Sequence, residues 1–364
     1  MRSRWILVAI GLVAFALSFT REYQNAHNVD MVAVQPRTPA ERPYAGIYVH
    51  PTDGWQARLN QSDGQAFAQL ATDPALRRPL VFLAGREEAA YRAQRPLFVW
   101  LTWLASGGQR SAVPVAVYLV TALSVAALVV ASGLWLRQRG LSPLFGLGML
   151  YVPGVQAIVT GGGPDALAAV FVLGTVLVWD RPSGDDTRRD RSRHDLAVAT
   201  VLLVLAALTR ETMLLAALVA ALRAGRRQGL VLFAAPFAAY GAWTAVVRVR
   251  YGAWPFHKTG GLEFVTGLTG WFGTWRLSDW VICILGFVVG ALALLVGRTS
   301  LAGWIAAAYA LVSVGFGDFV WHKWEDFSRV LVPLWVLGTL LVFAALVAVV
   351  ERLRARPSPV ASAT

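Results

Sequence analysis

A polar segment near the N-terminus holds the residues whose types and spacing best suit chemistry. It runs from residue 52 to residue 95 and contains two Asp-Gly pairs, Asp53-Gly54 and Asp63-Gly64, followed by arginines that end at Arg95. The chain after Pro96 is mostly apolar, so water is most available in this segment. A carboxylate is a common general base toward a hydroxyl, and a guanidinium matches the geometry of a phosphate. The pattern is typical of a group transfer from a phosphate.

Asp63 is the expected base of such a transfer. The glycine that follows permits a tight turn that presents the carboxylate. Two other interpretations stay open. Asp63 can cap a helix that begins near Gln65, because aspartate is favoured at that position, and Asp53 can be the base, although Asp-Gly is also a common turn pair. Arg92 and Arg95 suit the phosphate, but arginines also anchor helices at a membrane interface.

The composition indicates an integral membrane protein. Hydrophobic residues make up 56% and charged residues 15% of the chain, against roughly 45–50% and 25% in soluble proteins. The net charge of +12 comes mostly from arginines in short segments between apolar runs. Basic residues there act as topology signals, so nucleic-acid binding is not expected. The single cysteine, Cys283, lies in an apolar run and excludes a disulfide framework.

The elements that must position these residues are apolar helices. The apolar runs predict an all-α bundle of about ten membrane spans, with both termini in the cytoplasm. Four regions are expected. They are a signal-anchor helix (residues 1–20), an external region with the catalytic motif and the interfacial helix (21–110), the helical bundle (111–350) and a basic cytoplasmic tail (351–364). After the first helix, the expected crossings are residues 113–136, 141–160, 166–179, 196–209, 212–222, 230–249, 280–296, 301–316 and 330–350. The apolar run 96–106 is too short to cross and is expected to form an interfacial or dipping helix, with Trp100 and Trp103 at headgroup level.

This topology gathers ionisable residues at the outer face. The clearest example of ionisable residues near membrane depth is Arg210-Glu211. This pair lies at the tip of a hairpin of two short runs, partly within the membrane thickness. Such a pair either faces a water-filled cavity or holds the hairpin together. The other outer residues are Asp53, Asp63, Arg92, Arg95, Asp165, His257, Lys258, Asp318, His322, Lys323, Glu325, Asp326 and Arg329.

Several short strings resemble a known family. They are Asp63-Gly64-Gln65, Leu70-Ala71-Thr72-Asp73-Pro74, Tyr91-Arg92-Ala93-Gln94-Arg95 and Leu208-Thr209-Arg210-Glu211-Thr212. Their order is similar to that in bacterial polytopic cell-surface glycopolymer proteins, which resemble GT-C type glycosyltransferases. The polar turn that ends at Asp165 is a weaker match. One departure is that Ala66-Phe67-Ala68 replaces the aromatic pair expected after Asp-Gly-Gln, which affects the expected stacking on a sugar.

The resemblance implies an inverting transfer of a sugar from a polyprenyl-phosphate donor to a cell-envelope glycan or lipid at the outer face of the plasma membrane. It implies a GT-C-like fold with Asp63 as the base. The substrate-binding candidates are Arg92, Gln94, Arg95, Asp165, Arg210, Glu211, His257, Lys258, His322 and Lys323.

No cofactor is assigned from the sequence. His322, Glu325 and Asp326 are residue types that can ligate a divalent ion, but their spacing matches no known metal motif. The same segment, with its two tryptophans, is also typical of an interfacial belt with solvated charges.

Two alternatives to an enzyme remain. A transporter or flippase for lipid-linked saccharides would place ionisable residues near the midplane of several helices, often within inverted repeats. Here the charges collect on one side and no repeat is evident, which favours an enzyme. A non-catalytic assembly partner would keep the topology but tolerate the loss of Asp63.

Overall fold

The computed structural model describes residues 2–25, 63–77, 86–161, 163–180, 193–256, 266–270 and 272–354. Within these ranges all regular secondary structure is helical, which confirms the expected all-α class. The α-helices are α1 (Arg2–Asn25), α2 (Asp63–Thr72), α3 (Arg86–Ala93), α4 (Pro96–Ala105), α5 (Val113–Gln138), α6 (Pro153–Gly161), α7 (Asp165–Trp179), α8 (Arg193–Thr209), α9 (Leu214–Arg223), α10 (Arg226–Tyr251), α11 (Thr266–Thr269), α12 (Leu277–Val296), α13 (Leu301–Ser313), α14 (Asp318–Trp321), α15 (Trp324–Val330) and α16 (Val332–Arg354). The 3-10 helices are Arg110–Ala112, Pro143–Tyr151 and Glu211–Met213.

The long helices support a membrane-embedded protein. Five helices in the described part, α1, α5, α10, α12 and α16, are long and apolar enough to cross a membrane. Three shorter ones, α4, α7 and α13, are also apolar. The short α4 agrees with the expected non-crossing helix at residues 96–106.

The run 141–160 is not the single crossing helix that hydropathy predicts. It consists of the 3-10 helix Pro143–Tyr151 and the short α6. Each element begins at a proline, which is favoured in the first turn of a helix because it lacks an amide hydrogen. Gly146 also lies close to the α5 backbone, where an added Cβ would come within 2.9 Å of the Gly133 nitrogen. The break therefore lets this segment cross closely over α5.

Trp100 is half-buried against neighbouring elements. Its indole Nε1 donates a hydrogen bond to the Pro74 carbonyl at 3.3 Å, and its ring packs edge-on against Trp243 at 5.1 Å. Trp103, on the other face of α4, is exposed. The helix is thus tied along one face to α2 and α10.

The first helix is packed into the bundle. Leu7, Ile10 and Ala14 are buried in the main hydrophobic core, where α1 contacts α5. At its far end Arg21 donates to the side-chain oxygen of Gln156 in α6 at 2.6 Å. The first helix thus packs against both α5 and α6.

We expect Gly133→Ala to destabilise the α1–α5 contact. An added Cβ would lie 2.9 Å from both the Ile10 side chain and the Pro143 carbonyl oxygen, and overpacking of this kind costs about 1–3 kcal/mol. Gly241→Ala in α10 is the matched control, because no described heavy atom lies within 4 Å of its Cβ position. It should be neutral or stabilising by up to about 1 kcal/mol. Thermal unfolding in detergent would measure both, and equal shifts would contradict the close packing.

One end of the bundle is held together by contacts between helix ends. The Asp180 carboxylate, directly after α7, accepts from the amides of Leu301 and Ala302 at 2.9 and 3.1 Å, at the start of α13. Arg223, at the end of α9, donates to the Thr299 carbonyl at 2.9 Å. The opposite end of α7 carries the residues of the candidate site.

Candidate functional site

Arg95 and Glu211 form a bidentate ion pair. The Arg95 Nε donates to Oε2 of Glu211 at 2.8 Å, and its NH2 donates to Oε1 at 2.6 Å. The same NH2 donates to the Tyr91 hydroxyl at 3.2 Å. Arg95 is only 1% exposed, and a bidentate contact of this kind fixes the guanidinium plane. The pair connects the first polar segment to the turn between α8 and α9.

The break between α3 and α4 explains how Arg95 enters the core. Pro96 is the first residue of α4, and a residue before proline is disfavoured in helical conformation. Helix α3 therefore ends at Ala93, and the two residues in between, Gln94 and Arg95, are both buried. The Tyr-Arg-x-Gln-Arg string thus places its last two side chains inside the protein.

Asp165 bridges two further arginines. Asp165 is the first residue of α7. Its Oδ1 forms an ion pair with Arg210, and its Oδ2 accepts a hydrogen bond from the Arg329 Nε at 3.3 Å. Asp165 has no exposed surface, and Arg210 is 5% exposed. Three elements therefore meet at one carboxylate: α7, the α8–α9 turn and α15.

The two pairs form one electrostatic cluster. The charges of Arg95, Glu211 and Arg329 all act on Arg210. The Arg210 Nε is buried and has no hydrogen-bond acceptor among the described residues. A buried donor without an acceptor is costly, so the cluster is suited to an anionic ligand.

The groups around Arg210 and Glu211 determine the charged states of these two residues in the α8–α9 turn. The turn lies outside the five candidate spans. Burial alone would raise the pKa of Glu211, but the guanidinium of Arg95 outweighs it and holds that pKa well below its ordinary value. Burial, and then the nearby Arg95, lowers the pKa of Arg210 to about 10. Both groups are charged at neutral pH, and Glu211 is a weak base.

Two tyrosines place polar groups beside the cluster. The Tyr240 hydroxyl donates to the side-chain oxygen of Gln94 at 2.7 Å, and the Tyr309 hydroxyl donates to the Thr212 carbonyl at 2.8 Å. The Gln94 Nε2 and the Arg210 Nε are buried, and neither has a hydrogen-bond acceptor among the described residues. These two donors are available to a ligand.

The expected base is described only in part. Asp63 begins α2, so the helix starts before Gln65, but its side chain lies outside the described residues. The helix itself packs against α3, α4 and α5, and Phe67 contacts Phe98 edge-on at 5.4 Å. The Asp-Gly-Gln string therefore lies in a helix that contacts both elements flanking Arg95.

The other predicted residues lie apart or undescribed. Arg92 is half-buried, with its guanidinium 5.2 Å from the centre of the Tyr91 ring. His322 and Lys323 are exposed, and His322 approaches Asp326 at 3.7 Å. Asp53, His257, Lys258 and the side chain of Asp318 lie outside the described residues. Within the described part, no group of three His, Cys, Asp or Glu residues could hold a metal ion.

Arg329 was not among the substrate-binding residues predicted from the sequence. It stood only in the set of outer ionisable residues, in a segment that also fits an interfacial belt. Asp165 lies 164 positions earlier in the chain, and no local pattern signals a pairing at that distance. The sequence identified Arg329 as an outer ionisable residue, but it did not identify Asp165 as its partner.

The chain matches no protein-family model, no curated protein and no solved structure. The chemistry of the buried cluster is therefore the basis for a functional assignment. Its two buried donors without acceptors, Gln94 Nε2 and Arg210 Nε, indicate an oxygen-rich ligand.

Proposed function

We propose that this protein is a membrane glycosyltransferase that moves a sugar from a polyprenyl-phosphate donor to a cell-envelope glycan or lipid. The observation that carries the proposal is the buried Arg210 guanidinium, whose Nε has no hydrogen-bond acceptor among the described residues. The donor phosphate would supply an acceptor oxygen, and guanidinium groups match its geometry. Negative charge grows on the departing phosphate in the transition state, where fixed cations stabilise it most effectively.

The proposed fold is a GT-C-like bundle of about ten spans in the plasma membrane, with the site at the outer face. The five long apolar helices would supply half of these spans. The shorter helices α7, α8, α9 and α13 pack among them and would supply others. A donor with a long apolar tail explains why the enzyme is embedded in a bilayer.

Asp63 is the proposed base, because the two carboxylates of the cluster are committed to arginines. Asp165 pairs with Arg210 and Arg329, and Glu211 pairs with Arg95. Asp63 would take the proton of the acceptor hydroxyl, whose oxygen bonds to the anomeric carbon of the sugar. The bond from that carbon to the phosphate oxygen breaks on the opposite face, and the phosphate leaves with the electron pair. A single displacement of this kind inverts the sugar.

Transfer assays on reconstituted protein test this proposal. With a labelled polyprenyl-phosphate sugar and a glycan acceptor, Asp63→Asn should lower turnover about a hundredfold or more, because an amide cannot accept the proton. Glu87→Gln is the matched control, since Glu87 is an exposed carboxylate in the same N-terminal region. It should keep wild-type turnover.

The alternatives give different outcomes. A transporter would move the lipid-linked sugar across the vesicle membrane and form no transfer product. A non-catalytic partner would form no product, and its cellular role would survive Asp63→Asn. Wild-type turnover in the Asp63→Asn variant would reject the base and leave the arginine cluster to be explained by binding alone.

A further inference from the structure

The end of the bundle opposite the candidate site carries four exposed arginines on two neighbouring turns. Arg223, Arg226 and Arg227 flank the turn between α9 and α10, and Arg298 lies in the turn between α12 and α13. The Arg223 NH2 donates a hydrogen bond to the Thr299 carbonyl at 2.9 Å, which joins the two turns. These four arginines are called the terminal arginine surface below.

Trp304 orders two members of the terminal arginine surface. Its indole Nε1 donates a hydrogen bond to the Arg298 carbonyl at 2.8 Å. The guanidinium carbon of Arg223 lies 5.5 Å from the centre of the Trp304 ring, and an aromatic face attracts a cation at that distance. One side chain of α13 therefore contacts both the Arg298 backbone and the Arg223 guanidinium, so the two arginines are neighbours in space.

No carboxylate of the described residues pairs with the terminal arginine surface. The ion pairs in that part of the chain involve none of these four arginines. Asp180 lies at the same end of the bundle, but its oxygens accept from the amides of Leu301 and Ala302. Clustered charges of one sign create a potential that attracts the opposite charge. The terminal arginine surface is therefore suited to an anionic partner.

The surface lies where a bilayer would have its headgroups. Helix α10 begins at Arg226 and α12 ends just before Arg298, and both helices are long and apolar enough to cross a membrane. Leu222, Leu230 and Leu295, which are close to these arginines in the chain, are largely exposed. Exposed leucines suit lipid chains, and arginines at the end of a span reach the interface. A partner that fits both has an anionic head joined to apolar chains.

We propose that the terminal arginine surface binds an anionic phospholipid, with its phosphate beside Arg223 and Arg298 and its acyl chains along the exposed leucines. A guanidinium matches the geometry of a phosphate, and basic pockets between membrane helices bind anionic headgroups. The site is separate from the buried cluster and does not depend on the proposed function. Arginines at helix ends also act as topology signals, but that role does not require the contacts of Trp304.

Native mass spectrometry of the full chain in a neutral detergent tests this proposal. The probes are dioleoyl phosphatidylglycerol, which is anionic, and dioleoyl phosphatidylcholine, which has the same acyl chains and no net charge. Wild-type protein should bind phosphatidylglycerol about tenfold more tightly, as expected for two arginines near an anionic lipid. The double variant Arg223→Gln, Arg298→Gln should lose most of this preference, with the Kd for phosphatidylglycerol raised about tenfold.

Two further variants separate a defined site from a general attraction to positive charge. Trp304→Leu leaves every arginine in place, but it should weaken phosphatidylglycerol binding about threefold because Arg223 loses the ring that it lies over. The matched control is Arg248→Gln, Arg250→Gln at the other end of α10, where Arg248 lies 5.8 Å from the centre of the Trp254 ring. This control removes the same charge and a similar ring contact, and it should leave the phosphatidylglycerol Kd unchanged.

The proposal fails if wild-type protein does not prefer phosphatidylglycerol to phosphatidylcholine. Equal losses from the two double variants, or unchanged binding in Trp304→Leu, would show a general charge effect without a defined site. Glycerol phosphate, the soluble headgroup, should not displace the lipid at equal concentration, because it lacks the acyl chains. Displacement would assign the surface to a free phosphate instead of a lipid. Size-exclusion profiles identify any variant that fails to fold, and the exposed positions of the arginines keep their variants testable.

Discussion

Replacing Asp165 with alanine should lower the free energy of unfolding by about 3–5 kcal/mol, because it leaves the buried guanidinium of Arg210 without its carboxylate partner. Asp165 has no exposed surface and contacts both Arg210 and the half-buried Arg329. Without it, α7, the α8–α9 turn and α15 would lose the carboxylate at which they meet. Thermal unfolding and the yield of monodisperse protein in detergent would measure the loss.

The opposite end of α7 provides the control. Asp180 is half-buried and caps the start of α13 through two backbone amides. Asp180→Ala should cost only about 1 kcal/mol, the usual effect of losing a cap. Adding Arg210→Gln to Asp165→Ala should recover part of the lost stability, because it removes the buried guanidinium that the lost carboxylate paired with. Equal losses from Asp165→Ala and Asp180→Ala, with no recovery, would show that the buried pairing is not what stabilises this end.

Glu211→Gln should have the second-largest effect, about 3 kcal/mol of lost stability, because the buried Arg95 would lose the carboxylate that pairs with it. An amide can accept a hydrogen bond from Arg95 but cannot neutralise it, so the cluster would gain one positive charge. Glu325→Gln, a half-buried glutamate on α15, is the matched control and should change stability little. Comparison of melting temperatures measures the difference.

The pH dependence gives an independent check on this pair. Because the folded-state pKa of Glu211 lies below its ordinary value of 4.5, its contribution is complete above that ordinary value and is lost as the pH falls toward the folded-state pKa. The stability gap between wild type and Glu211→Gln should stay constant from neutral pH to about pH 5, then narrow toward about pH 2. A gap unaffected by acid would rule out a charged Glu211.

The pairing within the cluster could not be predicted from the sequence, although most of its members were. One sequence interpretation treats Arg210-Glu211 as a link that holds its own hairpin. In the structure the two neighbours face different partners: Arg210 contacts Asp165, and Glu211 contacts Arg95. Arg210 has an extended backbone, with φ −156 and ψ 129, and successive side chains on an extended chain point to opposite sides. The residue types are given by the sequence, but the extended backbone at Arg210 could not be predicted from it.

The helices show the same division between what hydropathy predicts and what it misses. Long apolar runs, such as 113–136 and 230–249, correspond closely to α5 and α10, and α10 continues through Pro236. The run 141–160 has similar apolar character, yet it forms two short elements where Gly146 lies close to the α5 backbone. Hydropathy reports which residues avoid water. It does not report where the backbone must bend to let another helix approach.

The order in which the cluster's residues occur along the chain bears on how the protein enters a bilayer during synthesis. Arg95, Asp165, Arg210 and Glu211 are translated first, and together they can form two ion pairs. Arg329, the second arginine that contacts Asp165, emerges only near the end of the polypeptide. A growing chain would therefore insert most of its helices around these two pairs, and the contacts of Asp165 would be completed only as the last helices arrive.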